Sequence, residues 1–208
     1  MSAFTLTFDL QSDWHIGSGK EAGAYADSLT IKDNNGLPFL PGKSIKGLLR
    51  EAFTIAHTNG WCTKLEETFS VDNLLQSLFG SKGQGPESQG MLQLSSATLS
   101  DDEITFFQQQ ANAKAHLFRV IQSTKIDHKT GIATDGSLRS MEVSVPMILT
   151  SELELNSSHP AFSPELEHAV LPLLKACCGL ILELGAKRHR GLGQVSVRAE
   201  KNNHQQVA

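Results

Sequence analysis

Residues 37–53 read LPFLPGKSIKGLLREAF, and the Gly-Lys-Ser at the centre admits two readings. A nucleotide-type phosphate loop needs a glycine, four residues, then Gly-Lys-Ser or Gly-Lys-Thr, because glycines let successive backbone N–H groups wrap a phosphate ahead of the helix. Here Gly36 and Gly42 enclose five residues, and two of those, Pro38 and Pro41, carry no N–H. The stretch fails as a nucleotide loop on spacing and on chemistry. What remains is a helix: Ile45, Leu48, Leu49 and Phe53 recur at helical spacing, Ser44 is placed as N-cap, and Lys46, Arg50 and Glu51 lie off the apolar stripe. Free N–H groups at a capped helix start beside Lys43 and Lys46 make a general anion site. An ordinary amphipathic helix after a proline-rich turn fits the same residues, and the stretch alone leaves both open.

Working outward, Phe4, Leu6, Phe8 and Leu10 alternate with polar residues, which predicts a half-buried strand over 3–11. A glycine-rich loop (15–23), a short strand (29–32) and a turn at Asp33-Asn-Asn-Gly36 lead into the helix. Downstream, 70–79 reads as a second short helix stopped by Gly80, and 80–90 (GSKGQGPESQG) as a flexible exposed connection. Strand patterns return from Met91, with Leu92, Leu94 and Ala97 on one face. A third strand is predicted at 116–124, and its partner at 141–155, where Val143, Val145, Met147 and Leu149 alternate. Between them 125–139 is polar, with Ile126, Ile132 and Leu138 its only core-type residues, and reads as a protruding hairpin. Residues 163–184 form the longest predicted helix, with Ser163 as N-cap, Pro164 at the first position, and Pro172 bending or splitting it. A closing strand follows at 194–199.

Stripped of loops, the order is strand, helix, strand, strand, helix, strand. This is an α+β, ferredoxin-like arrangement in which the first and third strands are central. RNA-recognition domains share it, but their aromatic-rich stacking pattern is missing, so any RNA would be held by loops.

The chain has 208 residues, 39% of them hydrophobic, enough to bury a full core as one domain or one domain with a large insertion. Its three cysteines, Cys62, Cys177 and Cys178, suggest neither a disulfide framework nor a metal knuckle, which points to a reducing cytoplasm. No segment approaches a membrane span, and the N-terminus alternates where a targeting signal would run apolar. A net charge of −4 argues against binding nucleic acid over the whole surface. Cations nevertheless cluster locally, at Lys43, Lys46 and Arg50, at Lys125, His128 and Lys129, and at Lys187, Arg188, His189 and Arg190 inside a glycine-bounded loop.

Three stretches carry a family resemblance: ADSLTIKDNNGLPFLPGKSIKGLLREAF (26–53), TKIDHKTGIA (124–133) and GAKRHRGLGQV (185–195). They resemble the signatures of RAMP-superfamily proteins and, more narrowly, of the repeated backbone subunit of type III CRISPR effector complexes. The third belongs to the superfamily as a whole. The resemblance implies a single palm domain over 1–208, copies of which stack along a guide RNA beside other subunits of the complex. It also implies a thumb hairpin, 125–139, that pushes through the guide–target duplex. Lys43, Ser44, Lys46 and Arg50 would face guide phosphates, with Lys187, Arg188 and Arg190 on the same basic surface, and Lys125, His128, Lys129 and Arg139 would contact RNA from the thumb. The aspartate used for target RNA cleavage in that family falls at Asp27, which would hold Mg²⁺ or Mn²⁺. Asp33 is a second carboxylate nearby but reads as the start of its turn. His15 and His128 are acid/base candidates by residue type. Two other readings stay open: a scaffold that binds guide without cutting, and a repeat-processing RAMP endoribonuclease that uses His15 without metal.

Overall fold

The structure is a computed structural model that describes residues 3–23, 25–71, 73–83, 85 and 88–201. In chain order its elements are β1 (Ala3–Leu10), α1 (Gly42–Thr58), α2 (Thr63–Phe69), α3 (Leu74–Phe79), β2 (Leu92–Leu94) and α4 (Asp101–Gln109). A 3-10 turn at Ala111–Leu117 leads to β3 (Phe118–Ser123), β4 (Arg139–Ser144), β5 (Met147–Leu155), α5 (Pro164–Cys178) and β6 (Val195–Lys201).

Four strands form one antiparallel sheet in the order β2-β5-β1-β6. The alternation of β1 sends Phe4, Leu6, Phe8 and Leu10 into the core, each no more than 2% exposed. Leu6 lies opposite Ser151 of β5 on one side and Ala199 of β6 on the other. The helices α1 and α5 follow the two central strands and pack together with the apolar face of the sheet through Ile45, Leu49, Phe53, Leu166, Val170 and Leu174. Each large side chain so buried contributes roughly 1.5–3 kcal/mol. The central pair is β1 and β5, the first and third of the four strands, which is the predicted ferredoxin-like order. Cys62, Cys177 and Cys178 are buried free thiols, and burial pushes the last two up to about 12. No helix among the described residues is long and apolar enough to cross a membrane.

Several local expectations give way to the structure. The 141–155 strand is two strands: β4 pairs with β3 in a separate two-stranded ribbon, and the chain changes sheets at Val145-Pro146, where proline has no N–H for a ladder. The alternation runs in phase through the break, so pattern alone could not show it. The 70–79 helix shortens to α3: Ser70 is left-handed (φ 51°) and ends the preceding α2, and the Asn73 side chain caps α3. Residues 29–32 form no strand, only isolated bridges such as Gly17↔Thr30 and Lys32↔Pro38. α5 stops at Cys178 instead of 184, and runs through Pro172 without splitting. In contrast, α4 was not expected, although Ser100 and Glu103 spell the capping box that the structure contains.

Ser44 is not the N-cap of α1. Pro41 takes that place in extended conformation, and the Ser44 N–H donates to its carbonyl at 2.8 Å. The role of Gly42 is close packing: a Cβ there would stand 2.8 Å from the Leu94 carbonyl oxygen at the end of β2. Across the 80–90 connection the Ser81 N–H reaches the Ser88 carbonyl at 3.0 Å; Gln84, Pro86 and Glu87 lie outside the described residues.

Candidate functional site

The segment after β1 has little regular structure, and β4 holds it in place. The Asp27 N–H donates to the Ser140 carbonyl (3.0 Å) and the Glu142 N–H to the Ser28 carbonyl (2.9 Å), so the segment joins β4 as a short parallel bridge. Asp27 Oδ2 accepts from the Ser140 N–H (2.6 Å) and hydroxyl (3.1 Å). These bonds, the backbone one foremost, hold its carboxyl below the usual aspartate range, with Arg139 adding a smaller pull. Asp27 is therefore an exposed, ionised carboxylate.

Its surroundings limit what cation it could hold. Among the described residues no group of three or more His, Cys, Asp or Glu comes together as a metal site. Asp33 is occupied as the turn former, its Oδ1 accepting from the N–H groups of Asn35 and Leu37, each at 2.8 Å. One carboxylate with one oxygen engaged does not cage an ion, but it fits a hydrated Mg²⁺ or Mn²⁺ that takes its remaining ligands from water and phosphate.

Beyond β3 and β4 the ribbon continues as an exposed arm. The Thr134 N–H bonds the Lys125 carbonyl (2.9 Å), the Asp127 N–H bonds the Ile132 carbonyl (2.9 Å), and Gly131 closes the tip onto Asp127 (2.8 Å). Lys125, His128, Lys129 and Arg139 are exposed along it, as are Ile132 (67%) and Leu138 (59%). Ser140, the partner of Asp27, stands at the root of this arm.

His15 is not an available acid or base. It is 2% exposed, with Nδ1 2.7 Å from the Glu142 carbonyl and Nε2 3.3 Å from the Ser28 hydroxyl. A carbonyl only accepts, so Nδ1 carries a proton, and Nε2 is engaged with the Ser28 hydroxyl. Both ring nitrogens hold the fold together.

The glycine-bounded loop is docked on the chain around His15 by main-chain bonds. The Ala186 N–H reaches the His15 carbonyl (2.8 Å), the Gly193 N–H the Asp13 carbonyl (2.7 Å), and the Leu184 N–H the Gly193 carbonyl (2.8 Å). Only glycine permits this approach at Gly185, where φ is +79° and a Cβ would meet the His15 oxygen at 2.4 Å. Asp13 is fixed from the other side by Arg119 of β3, whose Nε donates to Oδ2 at 2.6 Å. The loop so anchored carries Lys187, itself left-handed at φ 56°, and the 3-10 turn Arg188–Arg190.

Arg188 and α1 together line a groove of about 270 Å³, with Ser44, Gly47, Leu48, Glu51 and Gly185 in its walls. Arg188 lies 3.7 Å from Glu51. The predicted grouping of Ser44 with Lys46 and Arg50 is split by the helix: positions 44, 47, 48 and 51 form the groove flank and 43, 46 and 50 the other. On that other flank Lys46 Nζ donates to the Leu92 carbonyl and Arg50 to the Gly80 carbonyl, both at 3.2 Å, while Lys43 is exposed. Burial lowers the pKa of Lys46, with neighbouring Arg50 adding to the effect. The helix start is also less free than the sequence suggests, since the Gly42 N–H donates to the Ser96 hydroxyl (3.2 Å). Two residues of the site had no signal in the sequence. Glu142 falls on the outward phase of its strand yet is buried, with the Asp27 segment bonded to its carboxylate, and Glu51 meets Arg188 from far along the chain.

The architecture is that of a known family. The model of the RAMP superfamily matches residues 7–196, and the chain belongs to that superfamily. Among solved structures, a chain of a type III-B Cmr-beta complex bound to cognate target RNA superposes with a TM-score of 0.62 at 13% identity, over 95% of this chain and 96% of that one. A chain of the same kind of complex in its apo state gives 0.59 at 15% identity, with the same coverage. No curated protein sequence matches.

Proposed function

We propose that this chain is a guide-RNA-binding backbone subunit of a type III CRISPR ribonucleoprotein, and that Asp27 with Mg²⁺ or Mn²⁺ cuts complementary target RNA at regular intervals. The observation that carries the reading is the position of Asp27, exposed and ionised on Ser140 at the root of the arm. Membership of the RAMP superfamily supports it, as does the likeness to chains of type III-B Cmr-beta complexes, one of them bound to cognate target RNA.

On this reading the guide backbone runs along the groove between α1 and the glycine loop, where Arg188, Lys187 and Arg190 supply charge and Ser44 a hydroxyl. The arm is the thumb: Lys125, His128, Lys129 and Arg139 follow phosphates, and Ile132 and Leu138 lie against the displaced nucleotide. Cutting needs the 2′-OH of that nucleotide in line with its 3′-phosphate; the O2′–P bond forms as the hydroxyl gives its proton to solvent water, and the P–O5′ bond breaks as the leaving 5′-oxygen takes a proton from water. A divalent cation, when bound, supplies positive charge at the phosphate. Asp27 holds it, and its depressed pKa makes it a poor proton acceptor at neutral pH, so it serves as ligand and not as general base.

The test is guide-loaded complex incubated with target RNA and Mg²⁺. Cuts at a constant spacing are expected, lost with EDTA and lost in Asp27→Ala while target binding persists; full cutting in either condition refutes the catalytic half. The single carboxylate at the site favours a second reading, a scaffold that binds without cutting. Target RNA left intact by the wild type with either metal, despite duplex formation, selects it.

A further inference from the structure

Asp27 belongs to a segment with no helix or strand of its own, so a carboxylate there is only as well placed as its ties to β4. There are two ties, Ser140 and Glu142, which share one face of that strand. The first is exposed. The second is buried: Glu142 is 2% exposed, and three donors converge on its carboxylate. The Tyr25 hydroxyl (3.3 Å) and Lys32 ammonium (2.8 Å) reach Oε1, and the Thr30 N–H (3.2 Å) reaches Oε2.

Tyr25 precedes Asp27 in the chain, and Thr30 and Lys32 follow it, so one carboxylate grips both ends of the segment. Lys32 is itself held over the Phe118 ring at 4.0 Å, which ties the grip to β3 as well. Burial and the nearby Glu142 raise the pKa of Tyr25, which keeps it a donor. A buried charge is a poor device for stability alone, since an apolar side chain of similar volume often serves as well. What it adds here is geometry.

We propose, resting on the reading of Asp27 as the cutting site, that Glu142 is its positioning residue, holding segment 25–32 so that the Asp27 carboxylate stays on Ser140 at the root of the arm.

Glu142→Gln keeps the volume but offers an NH₂ where donors now converge. Tyr25→Phe removes one donor only and guards against a Glu142 variant that does not fold. In guide-loaded protein, amide exchange is followed over 25–32, with α5 as internal control, together with target affinity and the single-turnover cutting rate. For Glu142→Gln the expected result is exchange at least tenfold faster in 25–32 with α5 unchanged, target Kd unchanged, and a cutting rate lower by about 100-fold, the order expected for a displacement near 1 Å. Tyr25→Phe moves both readouts the same way by less. Unchanged exchange in 25–32, faster exchange with an unchanged rate, or loosening spread equally into α5 overturns the proposal. A wild type that does not cut defeats the cleavage reading instead, and the exchange comparison then still decides whether Glu142 holds the segment.

Discussion

Replacing Gly193 with alanine tests whether the glycine loop is placed by close main-chain contact. Its φ is +76°, and a Cβ would stand 1.8 Å from the Leu184 carbonyl oxygen. The variant must therefore leave the left-handed region or displace Leu184, which is fully buried. Either movement breaks the bonds from Leu184 N–H to Gly193 and from Gly193 N–H to Asp13. The left-handed conformation costs a residue with a side chain about 1–2 kcal/mol, and a buried backbone group left unpaired about 1–3 kcal/mol. With partial relaxation the loss is roughly 3–6 kcal/mol, a large share of a typical folding stability of about 5–15 kcal/mol. Gly191→Ala is the control, because φ is +81° in the same loop but nothing lies within 4 Å of the added Cβ. It should cost only the conformational part, about 1–2 kcal/mol. In urea unfolding followed by circular dichroism, with a slope of about 2–3 kcal/mol/M, the Gly193→Ala midpoint should fall by roughly 1–3 M and that of Gly191→Ala by about 0.3–1 M. Equal shifts for the two variants would refute the crowding argument, whatever their size.

Arg188→Ala should weaken RNA binding without regard to sequence and reduce the slope of log K against log salt by about one, while Glu51→Gln, by freeing Arg188, should tighten binding a few-fold; an unchanged salt slope removes Arg188 from the interface. Ser140→Ala removes the hydroxyl donor but keeps the backbone one, so the Asp27 carboxyl, followed by NMR, should titrate part of the way back towards the ordinary value of about 3.9. Because the folded pKa is depressed, the stability linked to Asp27 is present above that ordinary value and lost as pH falls through the folded one; in the variant the loss is smaller and is complete at a higher pH. Ser100→Ala breaks the capping box of α4 and should cost about 1 kcal/mol in thermal or urea unfolding, and no change would mean that α4 is held by packing alone.

Where burial follows from one side of an element, the sequence shows it. The alternation of Phe4 to Leu10 and the stripe from Ile45 to Phe53 each face a single core, and both buried faces can be read from the pattern. Where burial comes from a segment distant in the chain, periodicity has nothing to say. Glu142 lies between Met141 and Val143 on what reads as the solvent side of a strand, yet its carboxylate takes donors from Tyr25, Thr30 and Lys32 of the Asp27 segment. The break at Val145-Pro146 is hidden for a related reason: both strands keep the same phase while pairing with different neighbours. Basic residues are similarly ambiguous. Lys46 and Arg50 look like free cations, yet each also donates to a carbonyl, that of Leu92 or Gly80, and a carbonyl acceptor leaves no mark in a sequence.

The site depends on the main chain to an unusual degree. Asp27 is placed by the backbone of Ser140 and Ser28, and the loop bearing Arg188 by the backbone of Asp13, His15 and Leu184. Such bonds are indifferent to most side chains and demand only that glycine stand where a Cβ would intrude, as at Gly185 and Gly193. A scaffold of this kind can keep its shape while its side chains diverge. The side chains that do matter are then few and of two kinds. Some are exposed and chemical, such as Asp27 and Arg188, and can be exchanged at small cost to folding. Others are buried and polar, such as Glu142 and Asp13, and hold the irregular segments on which the first kind sit. Function should therefore be lost by two separable routes: through exposed residues with the fold intact, and through buried polar residues by local loosening of segment 25–32 or of the glycine loop.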